Sequence, residues 1–179
     1  MEVLGNSPIE KFKYFLFLIL DFLGLRGKSP AAIIECCDPR LLRDEKRLLL
    51  FLKVDMDHCT RIILAGSAKD IAEAIAKKKD ACMSNLRTAF GKHELKKVFI
   101  MFHNDCGGYE ESDGMKEIVF QIRDSLVVGD YISENWEGIE VFYLRQRLTG
   151  RRIELTLMTR EEVLAKLAVY EKFRQKATG

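Results

Sequence analysis

The chain has 179 residues, 47% of them hydrophobic and 31% charged. Its 29 basic and 27 acidic side chains leave a formal net charge of +2, too near balance for a module that binds nucleic acid by neutralising phosphates. Twelve glycines and three prolines exclude a collagen-like or low-complexity chain, and the length suits one α/β domain over residues 1–179 with a core that needs no staples.

Ser7-Pro8-Ile9-Glu10 reads as a capping box with proline at the first helical position. A helix is expected to follow to about Leu23, within an N-terminal arm of residues 7–25. Its apolar residues Phe12, Phe15, Leu16, Ile19 and Leu23 recur at helical spacing, and Phe17, Leu18 and Leu20 widen the stripe almost all round. Such a helix is expected in a core or against a partner subunit. The run Tyr14–Leu20, closed by Asp21, is far short of a membrane span, so no membrane association is expected.

Ala31–Ile34 reads as a buried strand, Leu41–Lys53 as a helix, and Arg61–Leu64 as a second strand ending at Ala65-Gly66. Ser67, with Asp70 three residues on, is expected to cap a helix through Ile71, Ala74 and Ile75 that continues, with a break, to Phe90. The run Lys77-Lys78-Lys79 reads as a solvated helix end. Val98–Phe102 is the clearest strand, and Met115–Leu126 a helix. Ile139–Leu148 and Arg152–Leu157, joined at Thr149-Gly150, read as a hairpin, and Thr159-Arg160-Glu161-Glu162 opens a final helix over residues 160–176. Strands alternating with helices and followed by a hairpin predict a mostly parallel sheet flanked by helices, with an antiparallel C-terminal edge.

The five cysteines are an odd number, and no basic segment of a secretory signal precedes them. A reducing, cytoplasmic setting is expected, where grouped Cys and His point to metal or catalysis. The first strand runs into Cys36-Cys37-Asp38-Pro39-Arg40, and the third into His103-Asn104-Asp105-Cys106-Gly107-Gly108. Carboxyl ends of parallel strands share one sheet edge, where ligands bind. Cys36 or Cys37 can therefore meet His103 and Cys106, a Cys₂His set of the kind that holds catalytic Zn²⁺. Of the remainder, Cys37 reads as a buried small hydrophobe if it is not the ligand, Cys59 and Cys82 as structural, and His58 and His93 as exposed groups able to carry protons. Ala65-Gly66-Ser67 ahead of a helix is a weak phosphate cradle without nucleotide-binding spacing, and Trp136 reads as packing or interface.

Cys36, Asp38 and Arg40 as C-x-D-x-R, then His103, Cys106 and Gly107 as H-x-x-C-G, resemble the β-class carbonic anhydrases. The strand, turn and strand from Gly138 to Leu155 are similar to that family's close. The resemblance implies a β-carbonic-anhydrase-like fold, Zn²⁺ on Cys36, His103 and Cys106, and reversible hydration of carbon dioxide to bicarbonate. It implies that Asp38, held by Arg40, either accepts a hydrogen bond from the zinc-activated water or ligates the metal. Ala65, Gly66 and Gly107 would line the substrate position, the Gly107 N–H meeting an oxyanion without side-chain interference. A homodimer or larger homo-oligomer is implied, with the N-terminal helix embracing its partner. Leu64 stands where the family usually has asparagine ahead of Ala-Gly. That change favours a relative acting on another small substrate, such as carbon disulfide or carbonyl sulfide, or a non-catalytic metal-binding or sensing protein.

Overall fold

The computed structural model describes residues 2–3, 31–42, 45–52, 54, 59–78, 80–92, 95–150 and 152–178. The expected helix of residues 7–25 lies outside them, as do His58, His93 and the side chain of Cys82.

The elements in chain order are β1 (Glu2–Val3), β2 (Ala31–Cys36), α1 (Pro39–Leu42), α2 (Glu45–Leu52), β3 (Cys59–Leu64), α3 (Lys69–Lys77) and α4 (Asp80–Lys92). They continue with β4 (Lys97–His103), a 3₁₀ turn (Gly107–Tyr109), α5 (Gly114–Asn135), β5 (Glu140–Thr149), β6 (Arg152–Met158) and α6 (Arg160–Thr178). The sheet has the order β1-β6-β5-β4-β2-β3. β3, β2, β4 and β5 are parallel, and β6 and β1 are antiparallel additions at one edge. The parallel sheet with its antiparallel C-terminal edge is the architecture the element order predicts.

The buried strands carry apolar residues on both faces, as a sheet covered on two sides requires. Ala32, Ile34, Val98, Ile100, Phe102 and Tyr143 pack with Ile71, Leu86, Ile122 and Val163 of the helices. Ala31, Ile33, Phe99, Met101 and Leu144 face the other way, against Leu48, Leu49 and Leu52 of α2. Trp136 packs against the first cluster, its ring centroid 4.7 Å from that of Phe90.

Several local expectations change. Leu41–Lys53 is two helices, α1 and α2, and Met115–Leu126 extends to Asn135 because Val128 and Ile132 continue the buried stripe. Asp113 opens α5, accepting from the Met115 and Lys116 amides. Ser67 does not cap α3. It sits at φ 56° in a turn, and its buried hydroxyl donates to the Ile34 carbonyl at 3.2 Å, tying the turn to β2 instead. The Thr159 box forms as expected: Thr159 N–H donates to Glu162 Oε2 at 2.9 Å, and Glu162 N–H to Thr159 Oγ1 at 3.4 Å. Lys77 pairs with Glu73 one turn back on an exposed helix end.

One feature of the order positions the site. β2 pairs with β3 on one side and β4 on the other, so the chain leaves β2 in one direction and returns past it to reach β4. Such a reversal opens a crevice at the carboxyl ends of the two strands. β2 ends at Cys36 and β4 at His103.

Candidate metal centre

Cys36, His103 and Cys106 converge at that crevice, each offering a donor atom within 4.8 Å of the other two. All three are buried, at 4%, 1% and 3% exposure. The strand that ends in Cys36 places it, and the turn after β4 carries Cys106 back beside it, Sγ to Sγ 3.7 Å. Cys37, the alternative ligand, is exposed, and is neither in this set nor a buried hydrophobe. Its N–H donates to the Leu64 carbonyl at 3.1 Å, next to the Cys36–Leu64 pair that closes the β2–β3 ladder.

The donor set fits a tetrahedral Zn²⁺. Two sulfurs at about 2.3 Å from such an ion stand about 3.8 Å apart, close to the spacing found. His103 Nδ1 lies 3.0 Å from the Asn104 carbonyl, while Nε2 is buried with no hydrogen-bond partner. Proton on Nδ1 and lone pair on Nε2 is the tautomer of a metal-ligating histidine steadied by a backbone carbonyl. A buried imidazole nitrogen left unpaired is costly, and a metal ion held by this set would satisfy it.

The two thiols titrate as a pair. The hydrogen bond from Cys106 lowers the Cys36 thiol, and the neighbouring Cys36 raises Cys106 in turn, so the first proton leaves easily and the second is held. The Gly66 and Asp38 backbones add to the lowering at Cys36. Burial works against the His103 cation, and its interaction with the neighbouring Cys36 sulfur, helped by the Asn104 carbonyl and the Asp38 charge, more than offsets it, so its pKa is raised. A divalent cation held by these thiolates would take the place of the held proton, and its binding would release that proton.

Asp38 and Arg40 flank the set. Arg40 Nε donates to both Asp38 oxygens at 3.0 and 2.9 Å, Nη2 reaches Oδ2 at 2.5 Å, and the Arg40 N–H donates to Oδ1 at 2.9 Å. These bonds, led by the side-chain one, hold the Asp38 carboxyl below its ordinary value and raise Arg40. The same guanidinium grips the β4 loop: Nη1 meets Asp105 Oδ2 at 2.5 Å and Nη2 the Asp105 carbonyl at 2.6 Å. Asp105 adopts φ 59°, a left-handed conformation that aspartate tolerates better than most residues.

The loop after β3 roofs the site from the third side. Gly66, at φ 74°, and Gly108 are in backbone contact: a Cβ on Gly108 would stand 2.4 Å from the Gly66 nitrogen. Gly66 is therefore buried by packing, while Ala65 and Gly107 are exposed, with nothing within 4 Å of the place a Gly107 Cβ would take. Lys69 Nζ donates to the Gly108 carbonyl at 2.7 Å and lies over the Tyr109 ring. Tyr109 donates to Asp124 Oδ2 at 2.8 Å. Leu64 packs against the main core cluster, half-buried, and offers the site only its backbone carbonyl, which accepts from Cys37 and Ser67.

Four residues beside this set are absent from the sequence-based candidates: Asp105, Lys69, Glu117 and Gln121. The last two are the most legible in retrospect. They are polar residues inside the buried stripe of α5, beside Ile118 and Ile122, and a polar residue in such a stripe has a buried partner to meet.

No protein-family model and no curated protein matches the chain. Solved structures do match. The chain is similar to a tetrameric β-carbonic anhydrase from the filamentous ascomycete Sordaria macrospora, at 12% identity and a TM-score of 0.49, over 83% of this chain and 99% of that one. It is similar to a carbonic anhydrase from Glaciozyma antarctica, at 16% identity and a TM-score of 0.40, over 83% of this chain and 94% of that one. It is also similar to a carbon disulfide hydrolase, at 12% identity and a TM-score of 0.46, over 83% of this chain and 87% of that one.

Proposed function

We propose that the chain is a Zn²⁺ enzyme that reversibly hydrates carbon dioxide to bicarbonate. The observation that carries this is one juxtaposition: a buried Cys36–His103–Cys106 donor set with an arginine-held carboxylate, Asp38, two residues from a ligand. Cys36, His103 and Cys106 would hold the metal, which supplies the acidity that makes water a nucleophile near neutral pH.

The chain's own residues would do the rest. Asp38, kept ionised by Arg40, accepts a hydrogen bond from the attacking water and turns its lone pair toward the carbon. Asp38 is absent from the group of mutually close donor atoms, which suits this role better than ligation. The exposed Gly107 backbone and Ala65 border the substrate position, and the Gly107 N–H is assigned to the oxygen that gains charge. Gly66 supports that edge through its packing under Gly108. Water and carbon dioxide yield bicarbonate and one proton, which passes to bulk buffer. A homo-oligomer completes this reading, with the residues of the N-terminal arm as its contact.

The experiment is a carbon dioxide hydration assay on zinc-loaded protein, with metal analysis of the same sample. Stoichiometric zinc with hydration abolished by Cys106→Ser is the expected result. Leu64, apolar where the resemblance expects asparagine, favours a second reading: hydrolysis of carbon disulfide or carbonyl sulfide. Sulfide release from those substrates, without carbon dioxide hydration, would establish it. Zinc without either activity would leave a metal-binding protein on this fold.

A further inference from the structure

Resting on the metal-site reading above, a second set of contacts reaches the ligands from beneath. The two β4-side ligands, His103 and Cys106, are separated by a turn with no sheet pairing to hold it. The ladder of β4 with β2 ends at Ile100, and that with β5 ends at His103 itself. Both main-chain groups of His103 are nevertheless satisfied, by one side chain of α5. Gln121 Oε1 accepts from the His103 N–H at 3.0 Å, and Gln121 Nε2 donates to the His103 carbonyl at 2.7 Å. The carboxamide does for His103 what a neighbouring strand does for the residues before it.

One helical turn earlier, Glu117 Oε1 accepts from the Cys106 N–H at 2.9 Å. The second proton of Gln121 Nε2 goes to the same Glu117 oxygen at 2.6 Å. A continuous chain of bonds thus runs from the His103 carbonyl through Gln121 and Glu117 to the Cys106 amide. Both side chains are buried, at 2% and 4% exposure, in a helix whose other buried residues are apolar or small. Hydrogen bonds in such a setting are geometrically demanding, and loss of a partner leaves a buried group unmet.

We propose that Glu117 and Gln121 are a positioning pair for the metal: the rigid four-residue spacing of α5 sets the separation of the His103 and Cys106 backbones, and with it the bite of the two ligands. Neither touches the metal or the substrate position. A ligand pair must be held within a fraction of an ångström to bind tightly, and outer partners commonly control affinity by 10–100-fold. The pair also accounts for a charged residue in the α5 stripe where an apolar one would pack.

The test uses cobalt(II), whose visible spectrum reports both affinity and coordination geometry. Purified metal-free parent, Glu117→Ala, Glu117→Gln, Gln121→Leu and Gln121→Glu are titrated with cobalt against a competing chelator, and the metal-free thermal midpoint is recorded for each. Glu117→Ala and Gln121→Leu are expected to lose about 10–100-fold in affinity, with a changed cobalt spectrum. Gln121→Glu keeps the acceptor and loses both donated bonds, and is expected to behave as Gln121→Leu does. Glu117→Gln keeps an acceptor at the same place and is expected to rescue both affinity and spectrum. Parent-like affinity and spectrum in Glu117→Ala and Gln121→Leu would overturn the proposal while leaving the metal site standing. So would affinity losses that simply follow the metal-free midpoints across the whole series, Glu117→Gln included. A parent that takes up no cobalt would overturn the metal reading and this inference together.

Discussion

Arg40 and Asp105, 65 positions apart in the chain, meet in two contacts, Nη1 to Oδ2 at 2.5 Å and Nη2 to the Asp105 carbonyl at 2.6 Å. The short helix α1 after β2 and the turn after β4 are thereby fastened to each other beside the Cys36–His103–Cys106 set. Because the same guanidinium holds Asp38, the orientation of that carboxylate depends on both segments.

The first test is of that clasp. Arg40→Ala is expected to keep its zinc and lose most activity, since the freed Asp38 can reach the metal position itself. Asp38→Ala keeps zinc and loses the acceptor, a fall of roughly 10²–10⁴-fold in rate per bound zinc. The double variant should be no worse than Asp38→Ala, because the two act as a unit. Parent rates per bound zinc in both single variants would leave Asp38–Arg40 as a structural ion pair. Asp105→Gly keeps the left-handed backbone and the carbonyl contact, so it should cost less than about 1 kcal/mol of stability, as an exposed ion pair does. Asp105→Ala should cost about 1–2 kcal/mol more through backbone strain.

Metal content separates the ligands from their neighbour. The parent is expected to hold close to one zinc per chain, and Cys36→Ser, His103→Ala and Cys106→Ser should each strip it. Cys37→Ser should keep it, because that thiol is exposed and outside the donor set. Elemental analysis after exhaustive dialysis decides both, and loss of zinc in Cys37→Ser would reassign the ligand.

The two adjacent glycines should part company. Gly108→Ala puts a methyl 2.4 Å from the Gly66 nitrogen, which is backbone and must shift. A cost of about 1–3 kcal/mol is expected, with weakened zinc retention. Gly107→Ala meets open space and should unfold at the parent temperature while changing activity, as a residue bordering substrate would. Equal midpoints for the two variants would contradict the backbone contact.

Burial raises the Asp124 carboxyl above its ordinary value, partly offset by the hydrogen bond from Tyr109. The folded chain therefore keeps this proton to a higher pH than the unfolded chain. The stabilisation is fully present below the unfolded value of about 3.9 and is lost as pH rises through the raised one. Glu117, also raised by burial, adds a slope of the same sign. Asp124→Asn should flatten, without abolishing, the decline of the thermal midpoint over that window. An unchanged slope would mean that Asp124 titrates as a solvated carboxylate.

What the sequence determined by itself is what short-range chemistry fixes. Apolar runs such as Val98–Phe102 can only be buried strands, and Thr159 with Glu162 closes its own cap because donor and acceptor lie within one turn. The meeting of Cys36 with His103 and Cys106 was readable for the same reason: parallel strands bring their carboxyl ends to one edge, so residues at or just past the ends of two of them are brought together by topology. Tertiary structure decided everything whose partner is distant in the chain. Ser67 had two ways to satisfy its hydroxyl, and the nearby Ile34 carbonyl of β2 won over the helix end. Cys36 and Cys37 are chemically identical, and only the folded structure shows which is buried and which is exposed. Arg40–Asp105, Gly66–Gly108, Glu117–Cys106 and Gln121–His103 join residues 11 to 65 positions apart, and no local pattern encodes which segments meet. Buried polar groups must find partners, but the fold alone chooses them.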